Sequence, residues 1–247
     1  MSANHAAFNL IFRFVENYIS PIAGRISSQR HVMAIRDGFI SAMPFMIVGS
    51  FLLVFAYPPF SPDTTWGFAR AWLDLAKEFE GRILTPFDMT MGIMSIYICA
   101  AISYNLGKHY EKSNQLDPFM CAMLSIMAFL LIAAPKTNGT LPVDSLGGTG
   151  IFTAILVAIY CVEMMRFLKA HNIGIRLPDQ VPPMIKNSFD LLIPVLVVVL
   201  TLYPLSLFIQ HHFDMLIPQA IMAIFKPLVS AADSLPAILL AVLIGHL

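Results

Sequence analysis

Gly38–Tyr57 reads GFISAMPFMIVGSFLLVFAY, twenty residues without one charged side chain. As a helix rising about 1.5 Å per residue it covers about 30 Å, the thickness of a bilayer's hydrocarbon core. Four more runs of 17 to 19 residues follow: Met89–Leu106, Pro118–Ala134, Gly150–Leu168 and Leu191–Ile209. Their only charges are Glu163 and Arg166. Lipid offers no partner to backbone N–H and C=O groups, so each run must satisfy them within itself, and helices do this. The expected fold is therefore all-α: a polytopic membrane helix bundle with five full transmembrane helices. A further run, Leu235–Leu247, has ten apolar residues in thirteen. It covers about 20 Å and is expected to be a truncated sixth crossing.

Composition supports lipid as the solvent. Hydrophobic residues make up 57% of the chain and charged residues 12%, against about a quarter charged in soluble domains. The formal net charge is zero, which removes the electrostatic case for nucleic acid. Cys99, Cys121 and Cys161 each lie inside an apolar run without metal-ligand spacing, so they read as small packing residues. No motif for a cofactor or metal is present. No carboxylate pair or Ser-His-Asp set appears either, so no catalytic residue is assigned.

Lys and Arg set the expected orientation. Ten of them (Arg13, Arg25, Arg30, Arg36, Lys108, Lys112, Arg166, Lys169, Arg176 and Lys186) fall in one set of connections. Five fall in the other: Arg70, Lys77, Arg82, Lys136 and Lys226. The positive-inside rule puts the N-terminus in the cytoplasm. The expected organisation is a cytoplasmic amphipathic segment at 1–36 and a five-span domain at 37–210. An extracytoplasmic amphipathic or re-entrant connection at 211–234 and the truncated helix at 235–247 complete it. Within the first segment, Phe8, Ile11, Phe12, Val15, Tyr18 and Ile19 recur at helical spacing. A helix in the membrane interface and a short helix packed on the bundle both fit this pattern.

Smaller signals fall between and within the spans. Trp66, Phe68, Trp72, Leu75 and Phe79 form a helical patch after three prolines and read as an interface anchor. His211 and His212 read as interfacial too. Gly147, Gly148 and Gly150 lack the Lys-Ser/Thr of a phosphate loop and mark a turn. Asn138 heads a formal glycosylation triplet, which is read as chance. Ser95, Cys99, Ser103 and Gly107 recur every four residues, a small-residue stripe that lets helix backbones approach closely. Glu163 is the one carboxylate inside an apolar run. Arg166 at i+3 makes it a paired or snorkelling interfacial residue rather than a proton-handling one.

The segment Ile175–Pro194, IRLPDQVPPMIKNSFDLLIP, carries three prolines within six positions and leads Lys186, Asn187, Ser188 and Asp190 into the fifth span. Prolines break regular helix. Polar residues on broken backbone at membrane depth are tolerated where they line a cavity, as in transporters.

This segment resembles the LPDSVP…SFxxLIP stretch of the sugar permease component (enzyme IIC) of the phosphoenolpyruvate-dependent phosphotransferase system, lactose/cellobiose/diacetylchitobiose branch. HVMAIRDGFISAMPFMIVGS, MGIMSIYICAAISYNLG and LDPFMCAMLSIMAFLLIAAP resemble three further segments of that family in the same order. The resemblance implies a homodimeric permease that moves a β-disaccharide such as cellobiose or diacetylchitobiose. A cytosolic enzyme IIB, charged by IIA and the general phosphocarrier protein, would phosphorylate the sugar. It implies sugar-cavity roles for Lys186, Asn187 and Ser188, and for Asp88 and Thr90 at the entry to the second span. The family's substrate-facing His and its Asn-Glu-Pro segment are expected beyond Leu247, so His246 receives no role. The chain alone is then expected to transport little. The alternative is a non-transporting membrane fragment that keeps the dimerisation half.

Overall fold

The computed structural model describes residues 20–136, 139–175 and 189–232. The N-terminal amphipathic stretch before Ser20, Asn138, most of the proline-rich segment and the run from Leu235 lie outside the described residues. Eight helices are described: α1 (Ser20–Ser27), α2 (Arg30–Ala56), α3 (Gly67–Asp88), α4 (Met94–Asn114), α5 (Pro118–Ala133), α6 (Ile151–Ala170), α7 (Leu192–Phe213) and α8 (Ile217–Ala232). A 3-10 turn, Gly148–Gly150, leads into α6. The expected all-helical membrane architecture is what the chain forms. Among the described residues, three helical stretches, Arg30–Ala56, Gly148–Ala170 and Leu192–Phe213, are long and apolar enough to cross a bilayer. Pro118–Ala133 is apolar but shorter.

α4 is the centre of the bundle and packs on α2, α5 and α6. Its two buried stripes face different neighbours. Ile102 meets α2, where a side chain on Gly38 would collide with the Ile102 backbone and side chain. On the other stripe, Cys99 Sγ approaches the Ser125 carbonyl of α5, and Gly107 lets Pro118 and Cys121 close in. The Ser95–Cys99–Ser103–Gly107 stripe is thus a packing seam, every member buried.

The buried positions of α2 are Ala34, Gly38, Ala42, Gly49 and Ala56, all small and spaced by four or seven. Most of its large side chains point outward, Phe51 being 64% exposed, while Ile35, Phe39 and Met46 pack partly against the core. Small residues inside and large ones outside is the pattern of a helix solvated by lipid, where close backbone approach replaces hydrophobic burial. Pro44 sits within α2 and forfeits one backbone bond, a loss that membrane helices absorb.

Helix starts and stops differ from the apolar runs in places. The second run begins at Met89, but α4 begins at Met94. Met89–Ile93 is instead a turn closed by Gly92 N–H donating to the Phe87 carbonyl at 3.1 Å. A β-carbon on Gly92 would meet Asp88. The turn is apolar because Gly49 and Gly147 pack on it, not because the helix is continuous. α5 starts sharply because the Asp117 carboxylate accepts from the Phe119 and Met120 N–H groups, at 2.9 and 3.3 Å, with Pro118 at the first helical position. This is a strong N-cap. α7 runs on through His211 and His212, which form its last turn, and ends at Asp214 in the left-handed region.

α3 packs on α2. Trp72 Nε1 donates to the Phe55 carbonyl at 3.2 Å, and the Tyr57 hydroxyl donates to Glu80 at 2.9 Å. Phe55, Phe60 and Phe68 surround the Trp72 ring, while Trp66 is 68% exposed. The aromatic patch therefore gathers around the C-terminal end of α2. At the same end, Ser95 N–H donates to the Leu146 carbonyl and its hydroxyl donates to Gly147. α8 covers the 3-10 turn and α6, stacking Phe225 on Phe152.

Candidate site at the basic end of the bundle

The opposite end gathers the N-terminus of α2 and the C-terminal turns of α4 and α6. Glu163 stands at its centre. His31 Nε2 lies 2.9 Å from Glu163 Oε1, and the Tyr110 hydroxyl donates to the same oxygen at 2.7 Å. Arg166 Nε pairs with Oε2 at 2.8 Å. Arg30 and Arg166 both lie over the Tyr110 ring, 5.6 and 4.9 Å from its centre. The Glu163 side chain is 25% exposed. The i+3 pairing with Arg166 expected from spacing is present, and two further partners share the carboxylate. Such charge-assisted bonds are the strong ones, and here they tie three helices together.

One turn further along α6, Lys169 Nζ donates to the Gln115 carbonyl at 2.7 Å and pairs with Asp190 Oδ2 at 3.3 Å. Gln115 is the left-handed residue that closes α4, so its carbonyl belongs to the negative end of that helix. Asp190 stands just before α7. A cavity of about 340 Å³ opens here, lined by Lys169, Asp190, Gln115, Asn172, Ile175 and Pro194 among others.

Of the residues assigned to sugar contact, Lys186, Asn187 and Ser188 lie outside the described residues. Asp88 ends α3, exposed. Thr90 Oγ1 donates to the Pro86 and Phe87 carbonyls, at 2.9 and 3.0 Å, and packs on Gly49. Gly49 is eighteen residues along α2 from His31, about 27 Å of helix. Asp88 and Thr90 therefore sit toward the opposite end from the Lys169 cavity. The sequence reading had not singled out His31, Tyr110 or the Lys169–Asp190 tie. The one available hint was that His31, Tyr110 and Lys169 each flank an apolar run on its basic side. Among the described residues no group of three or more His, Cys, Asp or Glu is placed to hold a metal ion.

Apolar helices with small-residue seams, joined by one charged end beside a cavity, define a helical membrane protein. Residues 36–247 match the family model described as phosphotransferase system, EIIC, and the chain belongs to that family. A cellobiose-specific EIIC component of the phosphotransferase system from Geobacillus stearothermophilus is 35% identical over 206 residues, covering 76% of this chain and 43% of that protein. A lactose-specific EIICB component from Streptococcus mutans is 33% identical over 219 residues, covering 86% of this chain and 37% of that one. Among solved structures, ChbC, the IIC component from the N,N'-diacetylchitobiose-specific phosphotransferase system, superimposes with a TM-score of 0.73 at 31% identity. That match covers 89% of this chain and 52% of ChbC. The chain thus spans about half the length of these relatives, or less.

Proposed function

We propose that this chain forms part of a membrane permease of the sugar phosphotransferase system that translocates a β-linked disaccharide such as cellobiose or diacetylchitobiose. A cytosolic enzyme IIB phosphorylates the sugar at the basic end, and IIA and the phosphocarrier protein recharge IIB. Phosphorylation adds charge that apolar lipid rejects, so entry becomes one-way. The observation that carries this reading is the family match over residues 36–247. It is joined to a fold shared with a diacetylchitobiose IIC component at 31% identity.

In this reading the basic end faces the cytoplasm of a bacterial inner membrane, five helices cross, and the permease works as a homodimer. Residues 1–36 precede the five-span domain at 37–210, 211–234 lie outside, and 235–247 enter a sixth crossing. Lys186, Asn187 and Ser188, with Asp88 and Thr90, contact the sugar. The test is uptake of radiolabelled cellobiose, diacetylchitobiose and lactose by vesicles that carry the permease with IIA, IIB and phosphoenolpyruvate-charged carrier protein. Accumulation of one of the first two as its phosphate is expected. Accumulation of none of the three overturns the reading, and preference for lactose keeps the β-disaccharide class but overturns cellobiose and diacetylchitobiose as its substrates.

A further inference from the structure

At the end opposite the basic cluster, α3 and the 57–62 loop enclose two adjoining cavities. One, of about 270 Å³, is lined by Pro62, Arg70, Leu73, Asp74 and Lys77. The other, of about 280 Å³, shares Leu73 and Lys77 and adds Tyr57, Pro58 and Glu80 among others. Each is close to the lower size of small-molecule sites, about 300 Å³. Arg70, Asp74 and Lys77 stand at i, i+4 and i+7 of α3, which puts them on one face. That spacing lets Asp74 pair with either neighbour. Yet the ion pairs among the described residues are His31–Glu163, Arg36–Asp37, Arg166–Glu163 and Lys169–Asp190. The first cavity therefore offers a carboxylate and two cations with their hydrogen-bonding capacity unspent. In the second, the Tyr57 hydroxyl donates to Glu80 Oε1 at 2.9 Å, and Oε2 is left to accept.

Three features choose the ligand. Asp74, between the two cations, opposes a free anion. Phe68 and Leu75, 71% and 56% exposed, leave α3 about 140–160° around its axis from Arg70. The exposed apolar edge of the helix thus lies away from the first cavity, which faces water rather than acyl chains. Finally, each cavity sets polar side chains beside an apolar wall, Pro62 and Leu73 in one, Pro58 and Leu73 in the other. A sugar ring has the same two sides, a hydroxyl edge and a C–H face, and two cavities that share a wall suit two linked rings. We propose that this pair of cavities is an encounter site for a two-ring sugar, with Arg70, Asp74 and Lys77 holding one ring and Tyr57 and Glu80 the other. It rests on the reading of the chain as part of a sugar permease.

Gly81 follows Lys77 by one turn, and a β-carbon there meets nothing within 4 Å. Gly81→Cys therefore places a thiol beside the groove without disturbing it. Cys99, Cys121 and Cys161 are buried, and the intact permease without the introduced thiol supplies the blank. The labelling is done in nanodiscs, with cellobiose or diacetylchitobiose as the probe. At twice its Kd the sugar fills two-thirds of the sites, and maleimide labelling of the thiol is expected to slow about threefold. Sorbitol should leave it unchanged. Arg70→Ala and Asp74→Ala, both at exposed positions, should each remove the protection. In uptake, Asp74→Ala is expected to raise KM about threefold with kcat unchanged, and Asp74→Asn to recover part of it. Unprotected labelling in the parent overturns the site, whether or not the permease transports. Protection that survives both substitutions overturns the residues assigned, and protection lost with KM unchanged overturns the encounter role. Labelling that follows phosphatidylethanolamine content and ignores sugar overturns the saccharide in favour of a lipid headgroup. Protection in a permease that shows no uptake supports the site and counts against the proposed function.

Discussion

The two ends of this bundle are closed by different materials. At the end that holds α3 and the 3-10 turn, backbone meets backbone beside the Trp72 and Tyr57 side-chain bonds. Gly147 lies on the Gly92 carbonyl, Gly150 lies under Ser145 and Phe129, and Ser95 bonds to both Leu146 and Gly147. At the basic end, long side chains do the joining: His31, Tyr110 and Arg166 on Glu163, and Lys169 between Gln115 and Asp190. Glycine contacts such as Gly147 on Gly92 and Gly150 on Ser145 have little to adjust, because the atoms in contact belong to the main chain. Charged side chains reach several ångströms and change rotamer without moving a helix. One end is thus built as a fixed base, and the other can be rearranged around a cavity.

Substitutions that attack the fixed contacts should have the largest effects. Gly38→Val drives two branches into the Ile102 backbone, and overpacking of this kind costs about 3 kcal/mol. Loss of the folded population in a detergent unfolding titration is the expected result, and a wild-type midpoint would show that α2 and α4 can separate freely. Glu163→Ala comes next. It leaves Arg166, Tyr110 and His31 without their common acceptor, and a partly exposed charged bond of this type is worth about 2 kcal/mol. Glu163→Gln should recover part of that in the same titration. If Glu163→Ala proved more damaging than Gly38→Val, the contrast between close glycine contacts and long side-chain ties would fail.

Smaller changes sharpen the comparison. Trp72→Phe removes the bond to the Phe55 carbonyl but keeps the ring; a loss of about 1 kcal/mol is expected, read from the same midpoint. Thr153→Val should go the other way. The Thr153 hydroxyl is fully buried and has no hydrogen-bond partner among the described residues. Removing it with little change of shape should raise stability by up to about 1 kcal/mol. A loss instead would reveal a hidden partner, such as a water.

Much of this arrangement was legible beforehand wherever a single helix decides it. The apolar runs Gly38–Tyr57, Gly150–Leu168 and Leu191–Ile209 each overlap a helix long and apolar enough to cross. The four-residue spacing of Ser95, Cys99, Ser103 and Gly107 located a seam, and Glu163–Arg166 could be read from i,i+3 spacing alone. What escaped depends on contacts across the chain. The start of α4 was misplaced because a half-buried turn can be as apolar as a helix. Its signal, Gly92, makes sense only beside Asp88 and Gly147. His31 and Glu163 are 132 residues apart, and no local pattern announces that they meet. The Lys169–Asp190 tie was hidden for a related reason: both residues sit in a stretch whose charges equally suit a solvated loop.

The inverted packing of α2, small side chains within and Phe51 and its neighbours without, has a calorimetric consequence. When such a helix parts from α4 inside lipid, almost no apolar surface passes into water. The large heat-capacity increment that bends the stability curves of water-soluble proteins comes from that passage. Separation of these helices in a bilayer should therefore show a nearly straight dependence of free energy on temperature, with no weakening on cooling.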